Sequence, residues 1–68
     1  MDNQHYNRIK AVLEEKDKAG TWLSEQVGLN ISTVSQWMTN KVQPSVGQLY
    51  VIAKHFNVEV KDLLVTVK

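Results

Sequence analysis

The feature that most constrains this chain is the stretch from Leu23 to Trp37, LSEQVGLNISTVSQW. Leu23 and Val27 are one helical turn apart and share a face. Gly28 then interrupts the pattern, as a glycine does when a helix ends in the left-handed conformation that side chains disfavour. Leu29 follows as an apolar plug. Asn30 can cap a new helix, because its side-chain oxygen can accept an otherwise unpaired N–H of the first turn. Val34 and Trp37, three residues apart, then face back toward Leu23 and Val27. Ser24 is small where the second of these helices crosses the first. Two short helices meeting at one tight corner are the expected result.

A helical wheel divides the helix after the corner into two arcs. Thr33, Val34, Trp37 and Met38 fall on one. Ile31, Ser32, Ser35, Gln36 and Thr39 fall on the other, which carries no charge, several hydrogen-bonding groups and a single aliphatic side chain. Such a face suits the edges of base pairs, which offer donors, acceptors and thymine methyl groups. It is equally the composition of an ordinary solvated helix face, so the corner around it has to decide between the two.

Around this pair the remaining elements read as further helices. The apolar positions Tyr6, Ile9, Val12 and Leu13 predict a helix from about Gln4 to Lys16, with Asp2 or Asn3 as its cap and with Arg8, Lys10, Glu14 and Glu15 facing solvent. The helix before the corner begins at about Gly20 or Thr21 and is poorly capped, since Ala19 and Gly20 offer no side-chain acceptor. Trp22 lies about 100° around the wheel from Leu23, either over the flank of the core or partly exposed. Helix three is expected from about Ile31 to Thr39, with Asn40 as a left-handed terminator. Pro44 disfavours helix at Gln43. Ser45 and Gln48 have capping-box spacing, and Val46, Leu49, Ile52, Ala53 and Phe56 predict a core helix ending near Asn57. A short fifth helix from about Glu59 to Leu64 closes the core with Leu63 and Leu64. The tail Val65 to Lys68 alternates like a short strand.

Size and composition exclude several function classes. A chain of 68 residues is a single domain, 1–68, with its core between about 4 and 64 and a tail at 65–68. A domain this small buries about 60% of its unfolded surface and has no room for an internal catalytic cleft. Cysteine is absent, so disulfides and thiolate metal sites are not available. His5 and His55 have no carboxylate in ligand spacing, and no nucleophile–base pair or phosphate-binding loop is present. The chain is therefore expected to be no enzyme and to need no cofactor or metal. No apolar run approaches a membrane span and no signal peptide is visible, which makes a cytoplasmic location the expectation. The net charge of +1 is low for a nucleic-acid-binding domain. Lys16, Lys18 and Lys41 fall near the ends of the two central helices, offset by Glu14, Glu15, Asp17 and Glu25.

With these residues in place the chain resembles the Cro/C1-type helix-turn-helix family, which includes the phage repressors. The resemblance covers about Arg8 to Leu64. It rests on Leu23, Val27, Leu29, Val34 and Trp37 at the apolar positions, on Ser24 and Gly28 at the small and turn positions, on Gln43-Pro44-Ser45, and on the stretch from Ile52-Ala53 to Leu63-Leu64. It implies an all-α fold, a compact five-helix bundle of the phage-repressor DNA-binding type with its helix-turn-helix at helices 2 and 3. It further implies sequence-specific binding of double-stranded DNA by a repressor-like transcriptional regulator, as a homodimer on a palindromic site, with helix three in the major groove.

By position Ile31, Ser32, Ser35 and Gln36 match or adjoin base-reading residues. Gln36 is suited to adenine and Ile31 to a thymine methyl. Thr21, Thr39, Asn40 and Lys41 match phosphate-contacting positions, and the N–H groups opening helix two add to them. Three departures stand out. Ala19 and Gly20 replace a polar pair. Leu13 and Met38 stand where the family often buries an Arg–Glu ion pair, an exchange of both partners that is often neutral or stabilising. Asn40 stands where glycine is common. The alternative from another function class is a protein-interaction module, antitoxin-like or adaptor-like, using the helix-three face or Val51 with Val65 and Val67.

Overall fold

The computed structural model describes residues 5–65. Four α-helices follow one another, α1 (Ile9–Glu15), α2 (Gly20–Val27), α3 (Ile31–Met38) and α4 (Val46–Phe56), and a single 3-10 turn, Val60–Leu63, follows them. The fifth helix expected from the sequence is thus a 3-10 turn, and the fold has four α-helices among the described residues. Four residues leave room for one turn, and tertiary burial of Leu63 stabilises it rather than helical propensity.

All four α-helices stop in the same way. Asp17, Gly28, Asn40 and Asn57 have φ of 59°, 75°, 62° and 59°. After each, the next N–H reaches back five residues: Lys18 to the Leu13 carbonyl, Leu29 to Ser24, Lys41 to Gln36 and Val58 to Ala53. This closure satisfies the last carbonyls of a helix, and Asn and Asp are the side chains that tolerate the left-handed region best. At the starts, Asn30 Oδ1 accepts the Thr33 N–H at 2.9 Å. Ser45 and Gln48 cap each other's N–H groups at 3.1 and 2.8 Å, the reciprocal arrangement their spacing predicts.

The core is one cluster: Ile9, Val12 and Leu13 from α1, Leu23 from α2, Val34 and Trp37 from α3, Leu49, Ile52, Ala53 and Phe56 from α4, and Leu63 from the 3-10 turn. Trp22 covers its flank. The indole stacks on Phe56 with centroids 5.6 Å apart and 28° between the planes, and the Lys18 ammonium lies over the indole ring, 5.2 Å from its centroid. Three expected core positions in the later part of the chain fall outside. Val46, in the first turn of α4, is 69% exposed, and Leu64 is exposed after the 3-10 turn, where Leu63 alone closes the core. Leu29 stands at the margin, on a small groove with Val27, Trp37, Gln48 and Val51.

The largest departure is at the beginning. Helix α1 starts at Ile9, not near Gln4, with Arg8 at its N-cap position. The candidate caps Asp2 and Asn3 lie outside the described residues. His5 to Asn7 are extended, and Tyr6 is 57% exposed rather than buried. The segment pairs with the other end of the chain instead. Asn7 and Leu64 form an antiparallel bridge, with Arg8 N–H donating to the Leu63 carbonyl at 2.7 Å and Val65 N–H to the Tyr6 carbonyl at 3.0 Å. Of the tail expected to alternate like a strand, only Val65 is among the described residues, following the bridge residue Leu64; Thr66 to Lys68 lie outside them.

Side chains lock this pairing to α3. Asn40 Oδ1 accepts the consecutive N–H groups of Tyr6 and Asn7 at 2.8 and 2.9 Å. Asn7, 4% exposed, donates Nδ2 to the Trp37 carbonyl at 3.0 Å and to Gln43 Oε1 at 2.7 Å, and accepts the Ile9 N–H on Oδ1 at 3.0 Å. A buried amide that loses such partners leaves them unsatisfied, at about 1–3 kcal/mol. Asn7→Ala is therefore expected to lower unfolding free energy by about 2 kcal/mol in urea titration. At Gly28 nothing lies within 4 Å of an added β-carbon, so only conformational strain opposes a side chain there. Gly28→Ala should cost about 1–2 kcal/mol, and Gly28→Asn clearly less; equal losses would show that the site is sterically closed.

Candidate nucleic-acid interface

Helices α2 and α3 are the most extensively packed pair of the fold, and Leu23, Val34 and Trp37 are fully buried between them and the rest of the core. Trp37 and Val34 pin one side of α3 inward, with Thr33 and Met38 half-buried at its edges. The opposite side follows from the helical repeat. Ile31, Ser32, Ser35, Gln36 and Thr39 are all exposed. The four side chains expected to read bases thus share one outward surface, and none is consumed by the subunit's interior. No charged residue lies between Glu25 and Lys41, so this surface offers hydroxyls, a carboxamide and one aliphatic group without a charge of its own.

The four phosphate candidates are placed around its rim. Thr21 is exposed in the first turn of α2. Ala19 provides no side-chain cap there, so the Gly20 and Thr21 N–H groups have no intrahelical acceptor. Thr39 and Lys41 are exposed at the other end of α3. The Thr39 hydroxyl rests against the carbonyls of Ser35 and Gln36 at 3.1 and 3.3 Å. Asn40 differs from these three. It is half-buried, and besides the two backbone donors its carboxamide meets Gln43 Nε2 at 3.2 Å, the Asn7 carbonyl at 3.2 Å and His5 Nδ1 at 3.3 Å. Its side chain is committed to the N-terminal segment.

The structure adds one relation at this surface that spacing alone does not give. Gly20 opens α2 directly against α3, where a β-carbon would stand 2.8 Å from Met38 Sδ. The replacement of a polar residue by Gly20 and the presence of Met38 at the end of α3 are therefore one packing arrangement. Leu13, the other member of the apolar exchange, is buried in the core, and Met38 packs against that core. The only sequence signal for this relation is a glycine in a helix start that needs no unusual backbone.

The family-model comparison matches residues 8–68 to the Cro/C1-type helix-turn-helix DNA-binding domain. The chain belongs to this family, as its corner, its four-helix frame and its outward α3 face define it. Among solved structures it is similar to a candidate DNA-binding protein from Bacteroides fragilis, with 43% identity over 88% of this chain and 97% of that one and a TM-score of 0.87. The comparison with curated proteins gives no match. Among the described residues no helix is long and apolar enough to cross a membrane, and no three metal-capable side chains form a group.

If the outward face is free of structural duty, changing it should leave stability intact. Alanine at Ser32, Ser35 or Gln36 is expected to shift unfolding free energy by less than about 0.5 kcal/mol. Val34→Ala, a truncation in a filled core, should cost about 2–3 kcal/mol. Thermal or urea unfolding of the four variants separates the two classes.

Proposed function

We propose that this chain is a sequence-specific regulator that binds double-stranded DNA as a homodimer on a palindromic site, with α3 in the major groove. The observation that carries the reading is the uncharged, exposed arc of Ile31, Ser32, Ser35 and Gln36, held outward by the burial of Val34 and Trp37. A helix so presented fits a groove about 12 Å wide, in which each base pair displays a distinct pattern of donors, acceptors and methyl groups. Gln36 has both a donor and an acceptor and can hold the N6 and N7 edge of adenine. Ser32 and Ser35 serve either kind of partner.

Thr21, Lys41 and the free N–H groups at the start of α2 hold phosphates. Thr39 joins them by rotating its hydroxyl away from the backbone. Asn40 contributes through position, by tying the N-terminal segment to the end of α3. Repression follows from such binding where the site overlaps a promoter. A protein-interaction role for the same fold gives a different result in the test below, namely no affinity for any duplex at low salt.

Selection of bound duplexes from a random pool should return a site with two inverted half-sites about one helical turn, roughly 34 Å, apart. Affinity should fall with salt, with a slope of log K on log salt of about −0.9 per neutralised phosphate, and about six to eight such contacts per dimer. Lys41→Ala should reduce that slope by about 1 per subunit and weaken all sequences alike. Gln36→Ala should lose about 1–3 kcal/mol of discrimination at one base position and leave the slope unchanged. A Gln36→Ala protein that selects the same site with the same preference would remove Gln36 from the reading set.

A further inference from the structure

Ile31 and Met38 are seven residues apart on α3, two turns along one stripe of the helix. The first residue of α2 fits against that stripe. A β-carbon on Gly20 would stand 2.8 Å from Met38 Sδ and 3.5 Å from both Met38 Cε and Ile31 Cδ1. Gly20 is not needed for backbone reasons, since Gly28 is the only glycine with positive φ among the described residues. A side chain there would have to displace the Met38 thioether, the flexible end of a half-buried side chain. The space left by the bare α-carbon is thus a seat bordered by the Met38 thioether and by the end of the Ile31 side chain.

The rest of Ile31 remains 44% exposed, on a face where every other side chain is polar. A β-branched residue in a helix is already confined at χ1, and the seat adds a second point of contact. An apolar group is thus held at a defined place at the N-terminal end of the reading face. In the major groove the apolar feature that distinguishes one base from another is the 5-methyl group of a pyrimidine.

We propose that Gly20 and Met38 are positioning residues for Ile31, and that through them the site selects a 5-methylpyrimidine, such as thymine, over the unmethylated base at one position of each half-site. The proposal rests on the DNA-reading function above and names a feature of its substrate.

The experiment starts from the duplex selected by the wild-type protein and replaces each thymine singly with deoxyuridine, which removes the methyl group and keeps the pairing edge. At one thymine per half-site the wild type should bind the uracil duplex about three- to tenfold more weakly, the scale of one lost methyl contact. Ile31→Ala and Gly20→Ala should bind the thymine and uracil versions of that site equally, and should keep their preferences elsewhere. A role confined to folding would lower affinity for both duplexes together and leave their ratio as in the wild type, and that result in a folded Gly20→Ala protein would overturn the positioning role. Met38→Ala, which opens the seat instead of crowding it, gives the same reading if Gly20→Ala does not fold. A wild type indifferent to uracil at every position of a selected site would overturn the methyl preference while leaving DNA binding intact. A pool that yields no enriched sequence would overturn both.

Discussion

Trp37 is where the helix-turn-helix and the rest of the chain meet. Its side chain is the largest that is fully buried, and an indole fully removed from water contributes several kcal/mol to a domain whose net stability is only about 5–15 kcal/mol. Its carbonyl is equally committed, accepting the Asn40 N–H at 3.0 Å and the Asn7 side-chain amide at 3.0 Å. Because both its side chain and its main chain are fixed, the rotation of α3 about its own axis has no slack. A helix free to roll by one position, about 100°, would exchange Gln36 for Trp37 on the exposed side. The direction in which Ile31, Ser32, Ser35 and Gln36 point is therefore a consequence of what Trp37 touches, and the chemistry of the reading face is set from behind it.

This division explains which parts of the fold were legible in the sequence. The corner was, because its determinants are local. Leu23 with Val27, and Val34 with Trp37, are helical neighbours, Gly28 ends one helix and Asn30 begins the next, and each signal lies within a turn of the one before. The capping box at Ser45 and Gln48 and the terminators Asn40 and Asn57 were legible for the same reason. The entry to α1 was not. Tyr6 sits at helical spacing from Ile9 and Val12, and that periodicity alone places it on a helix. What overrides it is pairing with Val65 and with Asn40, partners far away in the chain that no window of residues contains. Asp17 was missed for a smaller reason, since its neighbours Lys16 and Lys18 read as an ordinary charged turn. Of the outward face, the membership of the arc was legible, because it follows from the period. The seat made by Gly20 was not, because it depends on how closely α2 crosses α3.

The clasp around Asn7 and Asn40 has a further mechanical meaning. The bridge between Asn7 and Leu64 brings the two ends of the described chain together, and Asn40 fastens that junction to the last turn of α3. The Arg8 and Val65 backbone bonds and the Asn7 side chain link the stretch after Leu63 to the Trp37 carbonyl. The exposed Arg8–Glu15 pair at 3.2 Å adds little to this, since surface ion pairs contribute about 0–1 kcal/mol. The Asn7 amide carries more, because its side chain is buried and its bond to the Trp37 carbonyl is shielded from water.

The low charge of the chain then acquires a physical role. A strongly basic face binds any duplex, and discrimination has to be built on top of a large sequence-independent attraction. Here the outward arc of α3 carries no charge, and the nearest charged residues in the sequence on either side of it are Glu25 and Lys41. In the reading proposed above, phosphate contacts come from the rim, and discrimination between sequences has to come from base edges matched to the uncharged arc. Rigid placement matters more under those conditions than in a basic protein, because a hydroxyl or methyl contact falls off over a fraction of an ångström while a lysine finds its phosphate over several. The core packing of Leu13 and Met38, the bare Gly20 beside Met38 and the two-sided fixation of Trp37 all bear on the same helix. In the DNA-binding reading proposed above, an uncharged reading helix has to be held still, and Gly20, Met38 and Trp37 are the residues that hold it.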